Sequence, residues 1–137
     1  LRLWPLSLLI LLGCNSKTAS SSPPKPTIDA FQLMAAIDHF SATDLWPGFV
    51  LKEIPVAIYD GKRTLLFQHP SPPNGFAALP DHSGVWAYPG RFPDITANTS
   101  AIIGGVQTAT VLPSPGTRAA AGQRVALLAH EMFHVFQ

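Results

Sequence analysis

A chain of 137 residues with 12% charged and 47% apolar side chains has room for one folded core and little more, since single cores take roughly 100 to 200 residues. Fourteen prolines and ten glycines suit a loop-rich globular body and argue against a disordered polymer. The formal net charge of +1, with no basic cluster longer than Lys62-Arg63, excludes an extended nucleic-acid surface.

In chain order, the opening LRLWPLSLLILLGC sets one arginine before an apolar run from Leu3 to Leu12. That run is too short to cross a bilayer as a helix of about 20 residues, and it reads as the core of an export signal. Leu11-Leu12-Gly13-Cys14 resembles the bacterial lipobox. The resemblance implies a lipoprotein signal peptide over 1–13, lipidation of Cys14, and attachment to a membrane of the bacterial cell envelope. Asn15 stands where an aspartate commonly retains such proteins in the inner membrane, so the outer membrane, facing the periplasm, is the expected address. Cys14 is the sole cysteine and cannot form an internal disulfide; lipidation would remove an exported thiol from oxidation.

NSKTASSSPPKPT follows, polar and proline-rich, and residues 14–27 read as a tether that buries too little apolar surface to fold. A domain is expected over 28–137. Ala30, Leu33, Met34, Ile37 and Phe40 recur at helical spacing behind Thr27, a residue able to cap the helix. His39 and Gln32 point away from that stripe, and His39 is expected in solvent. Asp60-Gly61 lies between two apolar runs in EIPVAIYDGKRTLLFQH and predicts a hairpin whose pair of turn residues supplies positive backbone angles. From His69 to Pro93 the prolines and glycines predict irregular connection broken by short extended pieces such as Val85 to Tyr88. His69 and His82 fall there and are expected to be solvated, neither having a partner at ligand spacing. TSAIIGGVQTATVL predicts a strand kinked or bulged at Gly104-Gly105, whose part from Ala101 to Leu112 could pair an extended peptide along its edge.

A final helix is expected from a cap at Ser114 or Thr117 onward. Between Val125 and Phe136 only His130, Glu131 and His134 are polar, which predicts a helix buried nearly all round. Four helical residues turn about 400° and rise about 6 Å, so His130 and His134 project from one face and one ion can touch both. Glu131 lies about 100° further round, within reach of a water on that ion but poorly aimed as a third ligand. The alternative is a hydrogen-bonded core cluster without metal.

His130-Glu131-Met132-Phe133-His134 resembles the zincin metallopeptidase signature of histidine, glutamate, any two residues and histidine. The resemblance implies Zn2+ held by His130 and His134, Glu131 as general base, and a peptide or protein substrate. It also implies an α+β fold: a small, mainly antiparallel sheet with a hairpin, packed against the active-site helix. Metzincins carry a glycine three residues past the second histidine, where this chain has Gln137, so the resemblance leans to gluzincins, whose third ligand is a glutamate on a later helix, with an aspartate-ligand zincin as the alternative. The expectation is therefore a truncated form with an incomplete domain, lacking the third ligand, binding zinc weakly and inactive alone. The competing expectation is a non-catalytic, lipid-anchored envelope binding protein in which the last helix is structural.

Overall fold

The computed structural model describes residues 22, 24–39, 46–113 and 121–137. The expected signal peptide, Cys14, most of the tether, Phe40 of the first apolar stripe, and the caps Ser114 and Thr117 lie outside the described residues. The architecture is α+β, a mixed six-stranded sheet with two helices. No helix among the described residues is long and apolar enough to cross a membrane.

Helix α1 spans Ala30–Asp38 and buries Ala30, Leu33, Met34 and Ile37, the expected stripe. Its cap is Asp29, not Thr27: the Asp29 carboxylate accepts from the Gln32 N–H at 2.9 Å. Thr27 is too early because the chain is still tied to the hairpin there, the Ile28 N–H donating to the Asp60 carbonyl at 3.0 Å. The helix can begin only after that bond is made.

Strands β1 (Val56–Tyr59) and β2 (Arg63–Phe67) form the expected hairpin, with Tyr59 opposite Thr64 and Val56 opposite Phe67. Of the Asp60-Gly61 pair only Gly61 has a positive φ, +106°. Asp60 contributes its carboxylate instead, accepting from the N–H groups of Lys62 and Arg63 at 2.7 and 2.8 Å. This is how an aspartate mimics a backbone turn.

The short edge strand β3 (Ala77–Ala78) pairs with β4 (Val85–Pro89), and β4 pairs with β2. Beyond β1 lie β6 (Val106–Val111), parallel to it, and β5 (Thr99–Ile103), giving the order β3-β4-β2-β1-β6-β5. Every pairing except β1 with β6 is antiparallel, as a mainly antiparallel sheet requires. The 99–111 stretch is not one bulged strand but a second hairpin. Gly104 and Gly105 both have positive φ, +56° and +78°, as a two-residue turn with mirror-image backbone demands. Strand β6 therefore has a neighbour on each side, and of the proposed peptide-pairing stretch only its β5 part keeps a free edge.

Alternate residues of the central strands enter different cores, as the two-residue period of a strand dictates. Val56, Ile58, Leu65, Phe67, Ala109 and Val111 pack under α1 and the second helix, while Ala57, Leu66, Ile95 and Ile103 form a smaller core on the opposite face with Phe76, Trp86 and Phe92. The tip of the second hairpin sits against the loop after β2: a Cβ built on Gly104 would lie 2.5 Å from the Ser71 carbonyl oxygen, whereas one on Gly105 meets nothing within 4 Å. Gly104→Ala is expected to destabilise by more than the roughly 1–2 kcal/mol of a left-handed alanine, and Gly105→Ala by no more than that. Denaturant midpoints of the two variants check the difference; equal losses would contradict the close approach at Gly104.

Candidate metal centre

Helix α2 spans Ala121–Phe136 and packs on β6, β5 and α1. Leu128 and Met132, both 0% exposed, anchor it in the larger core. At about 100° per residue, Leu128 and Met132 sit about 40° apart on one face, and Glu131 lies between that face and the His130/His134 side. Because α2 covers only one face of a single sheet, its far side meets solvent. His130 and His134 are exposed and Glu131 is 7% exposed. The expectation of a helix buried nearly all round is corrected accordingly: the cost of burying polar groups falls on Glu131 alone.

The two imidazoles converge. His130 Nε2 and His134 Nε2 lie 2.9 Å apart, with ring centroids 4.5 Å apart and planes at 89°. At that distance one Nε2 carries the proton and donates to the lone pair of the other, and an ion taking the place of that proton would meet both nitrogens. The ligand atoms of His130, Glu131 and His134 all lie within 4.8 Å of one another, and these three residues form a group that can hold a metal ion. Among the described residues no other histidine, cysteine, aspartate or glutamate joins such a group.

Aromatic rings cluster along the same stretch of α2. Phe133 packs edge-on against Trp46 and Phe49 at 5.6 and 5.4 Å, and Phe49 also meets Phe136 at 5.3 Å. The segment carrying Phe49 leads into a 3-10 turn at Leu51–Glu53, which is held by Gln68. Gln68 has φ +56°, and with its amide turned to donate, Nε2 reaches the carbonyls of Leu51, Lys52 and Ile54 at 2.8, 2.9 and 2.9 Å. Neither Gln68 nor the aromatic packing was foreseen from the sequence, since nothing local marks a non-glycine residue for the left-handed region.

The remaining histidines stand apart from the group. His39 is exposed at the end of α1, as expected. His69 is not solvated: it is 8% exposed, with Nε2 2.9 Å from the Ile103 carbonyl and Nδ1 accepting from the Ser71 N–H at 3.1 Å. With one nitrogen donating and the other accepting, it is a neutral clamp between the two loops and has no lone pair left for a metal. His82 is exposed but stacks on Phe31 at 4.0 Å. A cleft between α1 and α2, lined by Leu33, Ala36, Arg124 and Val125, lies toward the other end of α2 and does not include the histidine pair.

No family model, curated protein or solved structure matches this chain.

Proposed function

We propose that this chain carries the metal ligands and general base of a zinc-dependent peptidase, tethered to the bacterial envelope through a lipid at Cys14, where it would act on peptide or protein substrates. The observation that supports this reading is the convergence of two Nε2 atoms at 2.9 Å with a buried carboxylate within 4.8 Å. Imidazole donors suit zinc and its transition-metal neighbours rather than magnesium or calcium, which take oxygen ligands. Two nitrogens bound at about 2.05 Å to a tetrahedral ion stand about 3.3 Å apart, so the rings need part by only about 0.4 Å. Exposed side chains accommodate that by small χ rotations, and the donor set fits the ion.

When bound, zinc supplies Lewis acidity, polarising a scissile carbonyl and lowering the pKa of a water toward about 7. The chain's own residues do the rest. His130 and His134 fix the reacting centre to one side of a rigid helix. Glu131, about 60° from His134 around that helix, accepts the proton of the attacking water on a carboxylate oxygen and then passes it to the departing amine nitrogen. Its burial limits competition from bulk solvent. In the resembling families a third ligand comes from a later helix, and this reading takes one from outside the described residues.

The test is hydrolysis of fluorogenic peptides by zinc-loaded full-length protein that includes the third ligand, with Glu131→Gln as the comparison. A large fall in rate is expected; equal rates would remove Glu131 from the chemistry.

A further inference from the structure

We propose that the end of the molecule at the β1–β2 turn is a docking surface that rests on anionic lipid headgroups and holds the histidine pair away from the bilayer. The inference rests on the membrane-tether half of the reading above and is independent of metal and of hydrolysis.

The topology gathers the basic side chains at that end. The β1–β2 turn presents Lys62 and Arg63, both exposed. Strand β4 ends beside it, with Pro89 opposite Arg63 and the Gly90 N–H donating to the Lys62 carbonyl at 3.2 Å, which sets exposed Arg91 next to the turn. The incoming chain crosses the same turn: a Cβ built on Gly61 would lie 2.8 Å from the Pro26 carbonyl oxygen, and exposed Lys25 immediately precedes Pro26. Half-buried Arg124, near the start of α2, borders a cleft with Ile28 and Asp29, and the Ile28 N–H is bonded to the Asp60 carbonyl, so Arg124 belongs to this end too. These five are all but one of the lysines and arginines among the described residues. The sixth, Lys52, lies at the opposite end, in the 3-10 turn before β1, where Glu53 adjoins it; Asp81, in the turn before β4, lies at that end as well.

The carboxylates on the basic end are Asp29, Asp60 and Asp94, fewer than the cations. Two of them are already engaged: Asp60 accepts from the Lys62 and Arg63 N–H groups and lies 3.7 Å from Arg63 Nε, and Asp29 caps α1. An excess of positive charge therefore sits where the chain arrives from the side of Cys14. Each lysine or arginine held within a Debye length of an anionic bilayer is attracted to it. An excess this small would hold a free protein only weakly, but the chain from Cys14 to Lys25 spans at most about 40 Å. Docking is then an intramolecular step at high effective concentration, for which a modest attraction is enough. The consequence reaches the histidines. Helix α2 starts at the docked end and runs away from it, Phe136 lying beside Gly48 at the far end. From Arg124 to His134 the helix rises about 15 Å, so the pair opens to the aqueous side, where a soluble peptide can reach it.

Lysine acetylation of the full chain on vesicles, with a water-soluble reagent and mass-spectrometric readout, tests this. The vesicles are phosphatidylcholine alone or phosphatidylcholine mixed with phosphatidylglycerol, and flotation establishes that the chain is attached to both. On the anionic vesicles Lys62 is expected to react more slowly than on the neutral ones, on the order of tenfold, while Lys52 reacts equally on both. Raised salt, or Arg63→Glu combined with Arg91→Glu, should restore the Lys62 rate and leave that of Lys52 unchanged. A chain that floats with both vesicles while Lys62 reacts equally on both would overturn the docking surface and leave the tether standing. A chain that floats with neither would overturn both. Equal slowing by soluble polyphosphate at matched phosphate concentration would assign the patch to a free anion and overturn the membrane contact. Slowing confined to Lys62 on anionic vesicles, in a protein that hydrolyses nothing, supports the docking surface and counts against the peptidase alone.

Discussion

Glu131→Gln is expected to leave zinc binding intact and to lower peptide hydrolysis by about 10²- to 10⁴-fold, the contribution typical of a positioned general base. Glutamine keeps the size and one oxygen of glutamate but cannot take a proton. Since the carboxylate lies within 4.8 Å of both histidine nitrogens without being needed to bring them together, its neutralisation separates proton transfer from metal binding. The substitution is mild for the fold. Glu131 forms no ion pair among the described residues, and a neutral amide costs less to bury than an ionised carboxyl. A loss of zinc in parallel with activity would instead make Glu131 a ligand. An unchanged rate would leave it no part in the chemistry.

The second large effect is structural. Met132→Ala is expected to destabilise the chain by about 2–5 kcal/mol, the range for truncating a large apolar side chain in a close-packed core. Met132 is 0% exposed in the core that includes Leu128, Val56, Ile58 and Val111, and it is the residue between Glu131 and Phe133 that holds α2 to the sheet. His134→Ala, two positions on and exposed, is expected to change stability by no more than about 0.5 kcal/mol. Thermal and urea unfolding of the pair check this. A Met132→Ala loss below about 1 kcal/mol would mean that α2 does not seat on the sheet through this face.

What was legible in the sequence was what local spacing encodes. Ala30, Leu33, Met34 and Ile37 mark the buried face of α1 at helical intervals, and Asp60-Gly61 marks a hairpin through the φ that glycine alone adopts freely. The spacing of His130 and His134 puts both rings on one side of a helix. What was not legible depended on distant partners. Asp29 rather than Thr27 caps α1 because Ile28 bonds to Asp60, and His69 is a clamp because the carbonyl it needs belongs to Ile103, 34 residues away. Gly104-Gly105 serves a bulge or a turn equally well, and the antiparallel pairing of β5 with β6, Ile103 opposite Val106, decides for the turn. The exposure of the histidine face escaped for a similar reason: the many apolar residues of α2 do not say that only one side of the helix meets the sheet.

The most direct test of the account is zinc binding by isothermal titration, comparing the parent chain with the variant carrying His130→Ala and His134→Ala together. The account predicts saturable binding in the parent, carried into Glu131→Gln and abolished in the double variant. Equal zinc uptake with and without the two histidines, or none in the parent, would contradict it.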